Sequence, residues 1–351
     1  MPENLRDSSI LRRFLDDPRG LLTEAGRNAD LWFSVVVVVS SVTFFTLQGV
    51  GFAIAVGTVF AIWAILAVSL NLLVGYTGLL SVAHVGFFGV GAYATAILTS
   101  DPAYEQLRTG SIPTFNFPFF AALPVSMIAA GVVALFVGGV LSRFRDDLFV
   151  LVSFGFAIIS FNVFLNWRGL TRGAFGIHEI AKPAIGGWVF DGNVEFLLLC
   201  LMFLGIVVLI SWFITSSSFG RVLTAVREDE QAIQVYGYRV AHYKMVIWVI
   251  SAMMAGLAGA FFASWTSFID PNSFILLESI LMVAIVILGG LASLWGSLLG
   301  ALVFVELNEL MRFVPFIPTE HIGQARQVIL GIVLVLLMLF RPQGLVGKYK
   351  L

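Results

Sequence analysis

The chain has 351 residues, 59% of them hydrophobic and 12% charged, with a formal net charge of −1 and a mean hydropathy of +0.97. A soluble domain carries about 25% charged residues, so this composition excludes an ordinary soluble enzyme and indicates a polytopic helical membrane protein. The charge balance gives no footprint for a nucleic-acid partner, and a single cysteine, Cys200 in an apolar run, excludes a disulfide framework or a cysteine zinc site.

Residues 1–30 do not read as a signal peptide, because Arg6, Arg12, Arg13, Asp16, Asp17 and Arg19 are interspersed and no small-residue cleavage site follows an apolar core. Ile10, Leu11, Phe14 and Leu15 share a helical face, so the segment is either an interfacial helix on the cytoplasmic surface or a disordered tail. Residues 31–351 form the membrane domain. Apolar runs of roughly 20 residues predict spans near 31–49, 51–73, 81–100, 118–142, 148–166, 195–215, 245–267, 277–294, 297–312 and 326–340. The expected fold class is therefore all-α, a polytopic transmembrane bundle of about ten spans with interrupted helices. With the N-terminus inside, fourteen of the 20 Lys and Arg fall on the inner side and six on the outer. That asymmetry predicts cytoplasmic termini.

Two glycine-rich stretches break the apolar pattern. In NLLVGYTGLLSVAHVGFFGVGAYATA, residues 71–96, Gly75, Gly78, Gly86, Gly89 and Gly91 interrupt a segment that also carries Asn71, Tyr76, Thr77, Ser81 and His84. Irregular backbone at membrane depth survives only where protein or a water-filled cavity satisfies it, so interrupted helices point to a translocation path. The competing reading is tight helix packing through small residues, and His84 alone is as well explained as a packing histidine. The second stretch, LGGLASLWGSLLGA at 288–301, contains Gly289, Gly290 and Ser293. Its Gly290-Leu291-x-Ser293 echoes Gly78-Leu79-x-Ser81, and both fall at an expected cytoplasmic reversal. The candidate pathway residues are Asn71, Tyr76, Thr77, Ser81, His84, Gly86, Gly89, Gly289, Gly290 and Ser293. Their side chains are apolar, small or neutral polar, which predicts a small organic solute that is neutral or zwitterionic overall.

Outside, the connections 101–117 and 167–194 are long. The second contains TRGAFGIHEI and is long enough to present a docking surface to an extracytoplasmic partner. Between the apolar segments that flank it lies a polar island, residues 216–244, with Arg221, Arg227, Glu228, Asp229, Glu230, Arg239 and Lys244. Val222, Val226, Ile233 and Tyr236 have helix-face spacing, Ser218 is the expected N-cap, and Gly237 is placed to stop the helix. This predicts one short amphipathic helix over 222–237, read either as a solvated loop helix or as a coupling helix that takes force from a soluble motor. The coupling candidates are Val222, Val226, Arg227, Glu230, Ile233, Tyr236 and Gly237. Later in the chain, Glu306 and Glu309 fall in an apolar segment and are expected to face protein or water rather than lipid.

No Gly-x-x-x-x-Gly-Lys-Ser/Thr loop, His-Glu-x-x-His motif or Gly-x-Ser-x-Gly elbow occurs. The chain is expected to be a membrane subunit and not itself an enzyme.

Several blocks carry a family resemblance. GYTGLLSVAHVGFFGVGAYATAIL at 75–98 resembles the hallmark of LivM-type permeases of branched-chain amino acid ABC transporters. The same family is matched by GRVLTAVREDEQAIQVYGYRVAHYK in the island, ISAMMAGLAGAFFASW at 250–265, PNSF at 271–274, ILGGLASLWGSLLGA at 287–301 and RPQGLVGK at 341–348. Ala83, the SFGFAII at 153–159 and the LTRGAFGI ending at Ile177 depart from the family pattern and leave the substrate open. The resemblance implies an importer in a bacterial or archaeal cytoplasmic membrane. This chain would sit beside a second, LivH-like permease, two cytoplasmic ATPase subunits that bind ATP and Mg, and an extracytoplasmic solute-binding protein. Related permeases handle urea and amides, other hydrophobic amino acids or aromatic acids. A secondary transporter using Glu306, Glu309 or His84 as a proton site and a purely structural membrane subunit are the alternatives of other classes.

Overall fold

The computed structural model describes residues 50–100, 115–141, 146–185, 188–311, 322–340 and 343–346, with 43, 46, 48 and 49. The expected tail 1–30 lies outside these residues, as does nearly all of the expected span 31–49. Residues 1–53 make one compact unit and residues 54–351 another, and the helical bundle belongs to the second.

The described residues fold as helices: α1 (Val50–Thr77), α2 (His84–Thr99), α3 (Phe119–Leu141), α4 (Asp146–Asn166), a single turn α5 (Arg168–Thr171), α6 (Asn193–Ser216), α7 (Ser218–Glu228), α8 (Glu230–Val235), α9 (Val240–Thr266), α10 (Leu276–Gly289), α11 (Leu294–Leu310) and α12 (Ile322–Phe340). Two antiparallel ribbons of two residues per strand were not anticipated by the sequence reading. One pairs β1 (Ile177–His178) with β4 (Phe268–Ile269), the other β2 (Ala184–Ile185) with β3 (Trp188–Val189). Such short strands carry too few residues for alternation to register.

Among the described residues, five helices are long and apolar enough to cross a membrane: α1, α3, the Leu148–Asn166 part of α4, α6 and α9. The segments expected at 81–100 and 277–294 fold as α2, with 16 residues, and α10, with 14. At 1.5 Å per residue these measure about 24 and 21 Å, short of the roughly 30 Å hydrocarbon core. Apolar run length reads both segments longer than their helices because the reversals that bound α2 and α10 are themselves apolar.

Helix α1 runs through the interior. Ala61, Ala64, Ala67, Leu70 and Leu72 are fully buried, and Trp63 packs against Phe304 of α11 at 4.9 Å between ring centres. The tightest packing joins α2, α3 and α9. A Cβ on Gly91 would stand 2.2 Å from the Gly256 carbonyl oxygen, and one on Gly259 2.1 Å from the Phe88 oxygen. Backbones that close need glycine on the facing surfaces. Thr95 and Ser126 share a buried hydroxyl bond of 2.7 Å between α2 and α3, and the Trp248 indole donates to the Ala134 carbonyl at 3.0 Å. In contrast, Val125, Ile128, Val132 and Phe136 of α3 and Leu198, Met202, Leu209 and Trp212 of α6 stand exposed, as apolar side chains facing lipid do.

At one end of the unit, β1 and β4 tie the connection after α5 to the exit of α9, with His178 stacked on Phe268 at 4.2 Å. The PNSF turn at 271–274 lies beneath. Its Phe274 is buried with ring centres 5.5 Å from Phe88 and 5.7 Å from both Tyr93 and Phe164.

Candidate functional site: two reversals and the coupling element

The glycine stretch at 75–91 does interrupt a helix, but only over residues 78–83. Gly78, at φ 72°, ends α1, and α2 starts at His84. Gly86 and Gly89, expected at the interruption, lie inside regular α2. A Cβ on Gly86 would meet Phe156 and Ser160 at 2.8 Å, and one on Gly89 would meet Phe164 at 2.5 Å. Their surroundings are those of close helix packing, the second of the two readings. The reversal itself is held by local hydroxyls. Leu79 N–H donates to Thr77 Oγ1 at 3.3 Å, Ala83 N–H to Ser81 Oγ at 3.2 Å, and Val82 N–H crosses to Ser153 Oγ of α4 at 3.1 Å. His84 is buried, its Nε2 2.8 Å from Ser69 Oγ on α1. Ser69 Oγ also lies 2.7 Å from the Leu66 carbonyl. Nδ1 is buried with no hydrogen-bond partner.

The second stretch makes a second reversal, residues 290–293, between α10 and α11. Gly290 has φ 115° and Ala292 φ 55°, and Ser293 caps α11 by accepting from Gly296 N–H at 3.1 Å. Gly289 lies at the close approach of α10 and α11: a Cβ there would be 2.0 Å from the Gly296 oxygen. Residues 343–346, from the chain's RPQGLVGK ending, fasten the same place. Leu345 and Val346 N–H groups donate to the Leu288 and Gly289 carbonyls at 2.9 and 3.0 Å. They satisfy carbonyls that the end of α10 leaves open.

Asn71 ties α1 to the second reversal. It is fully buried on α1, its Nδ2 donates to the Ser293 carbonyl at 2.9 Å, and its Oδ1 accepts from Ala292 N–H at 3.0 Å. Both ends of its amide are therefore engaged by the protein. The structure thus divides the expected pathway residues. Asn71, Gly289, Gly290 and Ser293 gather at the second reversal, Tyr76, Thr77 and Ser81 belong to the first, and His84, Gly86 and Gly89 lie along α2.

The polar island differs from its expected form. The helix read over 222–237 is two, α7 and α8, and the N-cap is Ser217, which accepts from Gly220 N–H at 3.3 Å, rather than Ser218. Asp229, extended at φ −154°, breaks the helix and caps α8 by accepting from Gln231 and Ala232 N–H at 2.9 and 3.0 Å. Gly237, at φ 86°, ends the element as expected. Helix-face spacing assumed continuity across Asp229, so the four apolar residues do not make one face. Val226 is buried in the protein's own interior with Leu223, Val222 and Ile233 are half-buried, and Val235 and Tyr236 are the exposed pair at 87% and 79%. Glu230 pairs with Lys244 at the start of α9, and the Arg227 guanidinium donates to the Gly75 carbonyl at the end of α1. A polar cleft of about 330 Å³ opens here, lined by Thr77, Gly78, Arg227, Asp229 and Lys244 among others.

Comparison with known proteins gives the family of the chain. The family described as "Branched-chain amino acid transport system / permease component" matches residues 52–338. The chain belongs to that permease family. It is 32% identical over 314 residues to the high-affinity branched-chain amino acid transport system permease protein LivM of Escherichia coli, covering 83% of this chain and 69% of that protein. It is 23% identical over 305 residues to the permease protein LivH of the same organism, covering 82% and 91%. A probable branched-chain amino acid transport permease protein LivM of Methanocaldococcus jannaschii is 24% identical over 332 residues, covering 82% and 91%. No solved structure matches. The family's residues thus extend over both reversals and the coupling element. The sequence pattern did not place Gly75, Asp229 or Gly344 among the site residues; the Asp-Glu-Gln order at 229–231 was the available sign of a helix start.

Proposed function

We propose that this chain is a membrane-spanning permease subunit of an ATP-driven importer for branched-chain or other hydrophobic amino acids. The observation that carries the reading is the family match over residues 52–338. In this reading the chain pairs with a second, LivH-like permease, receives solute from an extracytoplasmic binding protein, and is driven by two ATPase subunits that hold ATP and Mg. It lies in the cytoplasmic membrane with about ten spans and both termini inside. α7 and α8 are the contact for the ATPases, with exposed Val235 and Tyr236 as the apolar docking pair. Alternating access follows when the motor biases one arrangement of the bundle over the other.

The test is uptake of labelled leucine by the complex in vesicles, with urea, an aromatic acid and a metal ion as competitors. Uptake that requires ATP and the binding protein, and is displaced by aliphatic amino acids, supports the reading. Uptake that follows an ion gradient without the ATPases contradicts it.

A further inference from the structure

The end of α1 leaves one carbonyl open for a specific reason. In a continuing helix, Gly75 C=O would accept from Leu79 N–H. Here Leu79 N–H turns to Thr77 Oγ1 instead. The Arg227 guanidinium of α7 takes the open carbonyl, and a cation at a helix C-terminus is favoured by the helix dipole. Asn71 lies one turn earlier on the same face and holds Ala292 and Ser293 of the second reversal. Gly75 itself sits between the two contacts: a Cβ there would be 2.0 Å from Asn71 Oδ1 and 2.5 Å from Ala292 N. Arg227, Gly75, Asn71 and Ala292 are therefore in unbroken contact from the coupling element to the reversal between α10 and α11. On its other side the coupling element is braced by Glu230 against Lys244.

We propose that Arg227 and Asn71 are positioning residues for transport, joining the coupling element, the end of α1 and the second reversal into one body. A push on α7 and α8 then reaches both reversals, although only the first touches the coupling element through Arg227. This rests on the importer reading, in which α7 and α8 receive the motor. The link is a contiguous set of packed and hydrogen-bonded groups between two elements that must move together.

The test uses the whole importer complex carrying Arg227→Met, Arg227→Lys or Asn71→Leu. Solute moved per ATP hydrolysed is expected to fall about tenfold in Arg227→Met and Asn71→Leu and to recover partly in Arg227→Lys. Spin labels on exposed Gln231 and Trp295, with Cys200 replaced by Ala, read the link directly. Their distance is expected to stay the same between nucleotide-free and ATP-bound parent complexes and to shift or broaden in Arg227→Met. Normal uptake in Arg227→Met overturns the proposal, as does a parent distance that changes with nucleotide. Loss of the ATPases from the Arg227→Met complex, or hydrolysis and uptake falling together at an unchanged distance, also overturns it, since Arg227 would then serve docking or folding alone. A parent complex that takes up leucine without ATP contradicts the importer reading and leaves the distance test standing by itself.

Discussion

At 78–81 and at 290–293 the chain writes Gly-Leu-x-Ser twice, and the two serines do different things. Ser81 accepts from Ala83 N–H, two residues on, and α2 begins at His84 without a side-chain cap. Ser293 accepts from Gly296 N–H, three residues on, and caps α11 directly. The first reversal is held by hydroxyls and by Arg227 from the coupling element. The second is held by the Asn71 amide and by the backbone of residues 344–346. The same four letters give a helix break in both places, and what surrounds the break decides whether a guanidinium from α7 or a buried amide with the backbone of 344–346 holds it.

The strongest way to break this arrangement is Gly75→Ala, which drives a methyl between Asn71 and Ala292. Overpacking against backbone plus a lost buried bond should cost roughly 3 kcal/mol, read as a lower melting temperature of the purified protein and poor complex yield. Asn71→Leu is milder. The Ser293 carbonyl keeps Ser297 N–H as a donor at 3.0 Å, so the penalty falls on the Ala292 N–H, roughly 1–3 kcal/mol. Gly344→Ala should follow. Gly344 has φ 78°, and its Cβ would stand 2.6 Å from the Gly290 α-carbon. A left-handed non-glycine residue costs about 1–2 kcal/mol before that clash. Gly78→Ala, also left-handed, should cost less than Gly344→Ala, because its nearest neighbour is the flexible side chain of Arg227 at 3.0 Å. The smallest and most specific contrast is between the serines. Ser293→Ala should lose about 1 kcal/mol as a cap, and Ser81→Ala more, roughly 1–3 kcal/mol, because it strands the buried Ala83 N–H, both by thermal melting. Equal losses would mean that the two reversals are not distinguished by capping.

Much of this was legible in the residues. Apolar runs located α1, α3, α4, α6 and α9, because a span must be long and uncharged. The glycine stretches located both reversals, because Gly78 and Gly290 stand where the backbone needs positive φ. Composition did not separate Gly78 from Gly86 and Gly89, since a turn glycine and a packing glycine look the same until the neighbouring helix is in place. The partners of Asn71 lie 221 and 222 residues away, beyond the reach of any local pattern, so the sequence did not show that its amide is engaged within the protein. Val226 reads as a docking residue because periodicity gives an apolar face without saying what covers it. Asp229 reads as one of several surface charges, and its capping bonds turn one helix into two.

Amide hydrogen exchange of the assembled complex in a lipid disc tests most directly the claim that the two reversals are held by different partners. The bonded amides of Ala292, Leu345 and Val346 should exchange more slowly than those of 79–83, and Asn71→Ala should speed Ala292 while leaving 79–83 unchanged. Equal protection of the two reversals, or acceleration confined to 79–83, would contradict the account.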